Sequence, residues 1–144
     1  MILINRFDGG VSLMRLIGEA KADEEIGKWS KRNPGMYRSH IEIKDESVPT
    51  DRTFRDAWVL SGAGVIVDMN RARELWREVM RRARADRFAE LDVQYMRAIE
   101  TEDSAAASAI VKKKEELRGV TLLPDIDAAT TPAELRSCWP DCLN

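Results

Sequence analysis

The chain holds a single histidine, His40, and only two cysteines, Cys138 and Cys142. That scarcity removes whole classes of chemistry. Two cysteines close together near the C-terminus exclude a disulfide framework, and reduced thiols in a cytoplasmic setting are the expected state. A Cys-x-x-x-Cys pair with one distant histidine is a poor zinc signal. With no second histidine and no partner nucleophile, His40 does not begin a catalytic constellation, so neither an enzymatic activity nor a cofactor is expected. Long apolar runs are missing as well. The opening MILINRFDGG is too short for a signal peptide, and nothing approaches the length of a membrane span. Excess charge is missing too. A formal net charge of −2 makes the molecule as a whole no binder of polyanions, so nucleic-acid binding would have to come from a local patch.

What is present is the make-up of a folded domain. The 144 residues are 44% apolar and 33% charged, enough to bury a core without staples. Residues 2–17 predict two strands around a turn at Asp8, Gly9 and Gly10, the glycines supplying positive φ. Residues 20–31 predict a short helix, with Asp23 at its start and Asn33, Pro34 and Gly35 ending it. Residues 36–43 alternate. Tyr37, Ser39, Ile41 and Ile43 share one face, and His40 lies with the polar set as a surface imidazole. After a loop, one helical turn over residues 51–58 sets Phe54 and Trp58 four apart on the same side, with Asp51, Arg52, Arg55 and Asp56 free to pair locally. The runs 58–60 and 65–67 flank a four-residue hairpin loop.

From Asp68 to Glu100 the pattern turns helical. Ala72, Leu75, Trp76, Val79, Met80 and Ala83 make one apolar stripe, expected to pack on the sheet. Phe88, Leu91, Tyr95 and Ile99 make a second, rotated by roughly a third of a turn. That rotation predicts a bend near residues 85–87 or two halves facing different partners, the second half packing on the next helix. Arg73, Arg77, Arg81 and Arg84 form a stripe at steps of four, four and three. Such a stripe can track phosphates, but an acidic protein neighbour satisfies it equally well. No base-stacking aromatics interleave with it, which ranks nucleic acid second.

Residues 105–118 predict a helix begun by Asp103 or Ser104 and stopped by Gly119. It forms a hairpin with the long helix around Leu91, Tyr95, Ile99, Ile110 and Leu117. Residues 120–130 read as extended linker. Thr131, Pro132 and Glu134 mark a capped final helix, pinned by Leu135 and Trp139. The predicted fold is therefore α+β: a small antiparallel sheet with a short helix over residues 1–68, then a helical region over residues 69–144 comprising a long helix, a hairpin and a short C-terminal helix.

The succession DGGVSLM, PTDRTFRDAW, VIVDMNRARELWREVMRRAR, LDVQYMRAIE, KKKEELRGV and TPAELRSCWP resembles small proteins encoded among the tail genes of tailed phages and prophages. The Arg-rich helix running into LDVQYMRAIE is also similar to phage tail-fibre assembly chaperones. The resemblance carries no catalytic residues. It implies a non-enzymatic protein that binds other phage tail proteins, as a multi-copy tail or tail-tip component or as an assembly factor. Such a protein would be found in the host cytoplasm during assembly and in the virion tail if structural. The alternative is a nucleic-acid-binding or anti-defence protein using the arginine helix. The partner surface expected from the residues is Phe54 and Trp58 with Arg73, Arg77, Arg81 and Arg84.

Overall fold

The computed structural model describes residues 1–18, 21–62 and 64–144. Ala20, where the first helix was expected to begin, and Ala63 of the second hairpin loop lie outside the described residues. The architecture is mixed α+β, as the hydrophobic periodicities predict. The chain divides into two compact units, Met1–Asp68 and Met69–Asn144.

In the first unit, β1 (Ile2–Arg6) is the central strand of a three-stranded antiparallel sheet, flanked by β2 (Val11–Met14) and β3 (Tyr37–Glu42). Its run of Ile2, Leu3 and Ile4 is at most 1% exposed, because both faces of the sheet are covered. Leu3 packs with Ile43, Trp58 and Val65, the last two from the separate hairpin of β4 (Trp58–Ser61) and β5 (Gly64–Val67). Ile2 and Ile4 pack with Ile26 of α1 (Ala22–Arg32). A strand buried on both faces reads as a continuous apolar run, which is what ILI is. Each such side chain contributes about 1.5–3 kcal/mol.

Gly9 turns the first hairpin at φ +80, and the Asp8 carboxylate accepts from the Gly10 N–H at 3.0 Å. Gly10 does not have positive φ. Its role is close approach, since a Cβ there would collide with the Arg6 guanidinium. The second strand stops at Met14, short of the expected Ile17, which is 84% exposed.

The faces of β3 differ from simple alternation because of a bulge. Asn5 pairs with Ser39 but Arg6 pairs with Tyr37, so Arg38 is an extra residue in the strand. Tyr37 therefore joins the Ile2 and Ile4 side, and His40, opposite Ile4, lies there too. The imidazole is half-buried rather than free at the surface, with its Nδ1 3.0 Å from the Tyr37 hydroxyl.

In the second unit, α2 (Met69–Glu100) runs unbroken for 32 residues. Its buried positions Ala72, Met80, Leu91 and Ala98 fall within roughly 100° of arc at 3.6 residues per turn, a single inner face. Near its end Ala98 rather than Ile99 takes the inner position, and of the two expected outcomes the structure shows the second, two halves facing different partners. The first half of α2 meets the C-terminal segments, Trp76 lying 5.3 Å from the Trp139 ring. The second half forms the antiparallel hairpin with α3 (Ser104–Gly119), where Leu91 and Ala98 share the interior with Ala107, Ile110 and Leu117. Asp103 caps α3, accepting from the Ala106 N–H at 2.9 Å.

Residues 120–130 are not extended. A 3-10 turn (Val120–Leu122) continues directly from α3, since Gly119 keeps φ −75, and α4 (Pro124–Ala128) follows with Ile126 fully buried. Leu122 does not dock, being 79% exposed. α5 (Pro132–Ser137) begins with the expected capping box and buries Leu135.

Candidate partner-binding surface

Phe54 and Trp58 do not form a docking platform. They are 2% and 4% exposed, Phe54 before a single 3-10 turn (Arg55–Ala57) and Trp58 opening β4. Aromatics four apart favour burial as readily as display, and here burial wins.

The arginine stripe is likewise turned toward its own chain. Arg73 donates from Nη2 to the Ala129 carbonyl at 2.9 Å and from Nη1 to Asn70 at 2.8 Å. Arg77 is only 17% exposed, and its Nε donates to the Thr121 carbonyl at 3.3 Å. Its Nη atoms pair with Glu74 and Asp127, and the Asp127 hydrogen bond, more than any other neighbour, pushes the Arg77 pKa up. Arg84 donates to the Arg118 carbonyl at 3.3 Å. Arg81 pairs with Glu78 at 3.0 Å and stays exposed. Arg73, Arg77 and Arg84 thus meet carbonyls where α4, the 3-10 turn and α3 end. Cations there complement the negative end of the helix dipole and satisfy carbonyls left without intrahelical donors. Three of the four stripe arginines hold the helical unit together, which takes them away from a phosphate track or an acidic neighbour.

The surface that does face outward lies on the opposite side of α2. Ala85, Ala89, Val93 and Met96 recur at steps of four, four and three and are all exposed, Val93 by 52% and Met96 by 57%. Ile99, expected inside the hairpin, is 51% exposed beside them. The charges flanking this strip alternate in sign: Arg82, Asp86, Arg97 and Glu100. Asp86, Arg97 and Glu100 make no side-chain ion pair among the described residues, and Arg82 has only Glu78, at 3.6 Å. The sequence carries the signal for this strip in its small residues Ala85 and Ala89, which a search for large apolar stripes passes over.

Chemistry is sparse elsewhere. Cys138 and Cys142 are free thiols whose pKa values burial pushes up, with nearby carboxylates adding to the rise. Such thiols are poor nucleophiles at neutral pH. Among the described residues no group of His, Cys, Asp and Glu is placed to hold a metal ion. No described helix is long and apolar enough to cross a membrane. Comparison with protein-family models, with curated proteins and with solved structures gives no match.

Proposed function

We propose that this chain is a non-enzymatic phage tail-associated protein that works by protein–protein contact in a multi-copy assembly. The tail setting rests on the resemblance of its sequence segments. The mode of action rests on one observation, the exposed Ala85, Ala89, Val93 and Met96 strip with its flanking charges.

The occupant of that strip is a second copy of the chain. The flanking charges are self-complementary. An antiparallel apposition with its two-fold beside Leu91 sets Ala89 against Val93 of the second copy and Arg82 against Glu100. The same apposition places Asp86 beside Arg97. Alanines allow close approach of two helices, and the opposed charges fix the register. The strip is small, so self-association on the order of 10–100 µM is expected.

Sedimentation equilibrium reads this directly. Arg82→Glu should abolish the dimer by setting acid against acid, and adding Glu100→Arg in the same chain should restore it. A chain that stays monomeric through about 500 µM, or a double variant that stays monomeric while the parent dimerises, rejects the strip as a self-interface. A mass-spectrometric census then tests the setting. Stoichiometric presence in purified virions identifies a tail component, and presence only on tail intermediates identifies an assembly factor. Absence from both ends the tail proposal.

A further inference from the structure

Between β2 and residues 52–58 the first unit forms a partly open pocket of about 500 Å³. Arginines from four places in the sequence line it: Arg6 from β1, Arg15 just past β2, and Arg52 and Arg55 from the segment leading into β4. Among the described residues the only carboxylate in its wall is Asp56. Two of the arginines are anchored. Arg6 is held by Asp8 at 3.0 Å and by the Ser12 hydroxyl at 3.4 Å, in space that Gly10 leaves by lacking a Cβ. Arg15 is held by Asp45 at 2.7 Å. The other two are uncommitted. Arg52 has no side-chain partner among the described residues, and the Arg55 guanidinium lies 4.0 Å from Asp56, a distance too long for a hydrogen bond.

We infer that this pocket binds a small ligand carrying two or more phosphoryl charges. Asp8 and Asp45 offset Arg6 and Arg15, so the charge open to a ligand is that of Arg52 and Arg55, which meet Asp56 alone among the described lining residues. Guanidinium forks match the oxygen pairs of phosphoryl groups, and several forks converging from separate segments suit a ligand with more than one such group. The volume falls in the range of small-molecule sites and exceeds the needs of pyrophosphate alone. Trp29 in the wall offers aromatic surface to a base.

Isothermal titration calorimetry on the full chain in low salt, with pyrophosphate and with ADP, tests the inference. One-to-one binding is expected. It should weaken at least about tenfold in the Arg52→Gln, Arg55→Gln double variant, whose altered side chains are exposed and leave the fold intact. Lys112→Gln, on an exposed position of α3 in the other unit, should leave binding unchanged. Tighter binding of ADP assigns a nucleotide, and equal binding assigns the phosphates alone. No heat at about 1 mM of either ligand, or equal affinity in the double variant, overturns the inference. Binding of only a roughly 12-nucleotide oligomer, with neither small anion retained, overturns it as well, because that result describes a surface track rather than a small-molecule pocket.

Discussion

Glu134 accepts from the Thr130 and Thr131 backbone N–H groups at 2.7 and 3.3 Å and from the Thr130 hydroxyl at 2.9 Å. The Thr131 hydroxyl returns the favour by accepting from the Glu134 N–H at 3.2 Å. These donors, Thr130 foremost, favour the ionised carboxylate and hold the Glu134 pKa below the ordinary glutamate range. The unfolded chain binds that proton at a higher pH than the folded one does. The cap's contribution is therefore full above the unfolded glutamate pKa and is lost as the pH falls through the depressed folded value. Amide exchange of Thr130 and Thr131, followed by NMR down an acid titration, should show α5 losing protection across that window. Glu134→Gln, which cannot titrate, should flatten the profile. An unchanged acid profile in the variant would remove the carboxylate from the account. This residue was legible in the sequence, because a capping box is a local pattern: Thr131, Pro132 and Glu134 sit within four positions. Phe54 and Trp58 were not legible in the same way. Their spacing is as compatible with burial as with display, and for Trp58 it is packing with Leu3, Ile43 and Val65 that decides it.

At the scale of elements, the turn joining α2 to α3 carries local strain. Glu102 stands at φ +55, the one non-glycine residue in the left-handed region among those described. It occupies the position after the helix where glycine is favoured. Its N–H donates to the Ile99 carbonyl at 3.1 Å, and the Asp103 N–H reaches the Ala98 carbonyl at 2.8 Å, the paired bonds of a Schellman ending. A side chain with a Cβ pays for that conformation with about 1 kcal/mol. Glu102→Gly should therefore stabilise the hairpin by about 0.5–1 kcal/mol in a denaturant titration, the added freedom of glycine in the unfolded chain offsetting part of the gain. A lower midpoint would show that the Glu102 side chain contributes a contact that outweighs the strain. The element-scale comparison with the sequence follows the same division between near and far. The Asp8 and Gly9 turn, the existence of the long helix and the Asp103 cap could be read from neighbours within a few residues. The bulge at Arg38 could not, because it resides in the pairing with Arg6. Nor could the fate of the arginine stripe. The carbonyls of Arg118, Thr121 and Ala129 that receive it lie 34 to 56 residues away, and no periodicity in α2 announces them.

For the whole molecule the question is whether the helical unit needs anything beyond its own residues to fold. The sequence left this open, since residues 120–130 read as linker. In the structure those residues form a 3-10 turn and a helix, and they receive Arg73 and Arg77. Met80, Ile126 and Leu135 are fully buried, and Val120, Leu117 and Leu143 are nearly so, all within Met69–Asn144. The rings of Trp76 and Trp139 meet, Lys114 bridges from α3 to Asp92 at 2.6 Å, and its ammonium lies 4.8 Å from the centre of the Tyr95 ring. The mean α-helix, about 11–12 residues, is far shorter than α2, and long helices without a packed inner face are marginal in water. Here the inner face is packed along its length by segments from the same unit. A chain of residues 69–144 alone should accordingly be helical by circular dichroism and melt cooperatively. It should also retain the self-association expected of the full chain, since the Ala85, Ala89, Val93 and Met96 strip lies wholly within it. Arg77→Ala in that fragment should lower the midpoint, because it removes in one step the bonds to Thr121, Glu74 and Asp127. A fragment that is helical yet melts without a cooperative transition would mean that its core is completed from outside, and the helical unit would then be a part that folds only in company.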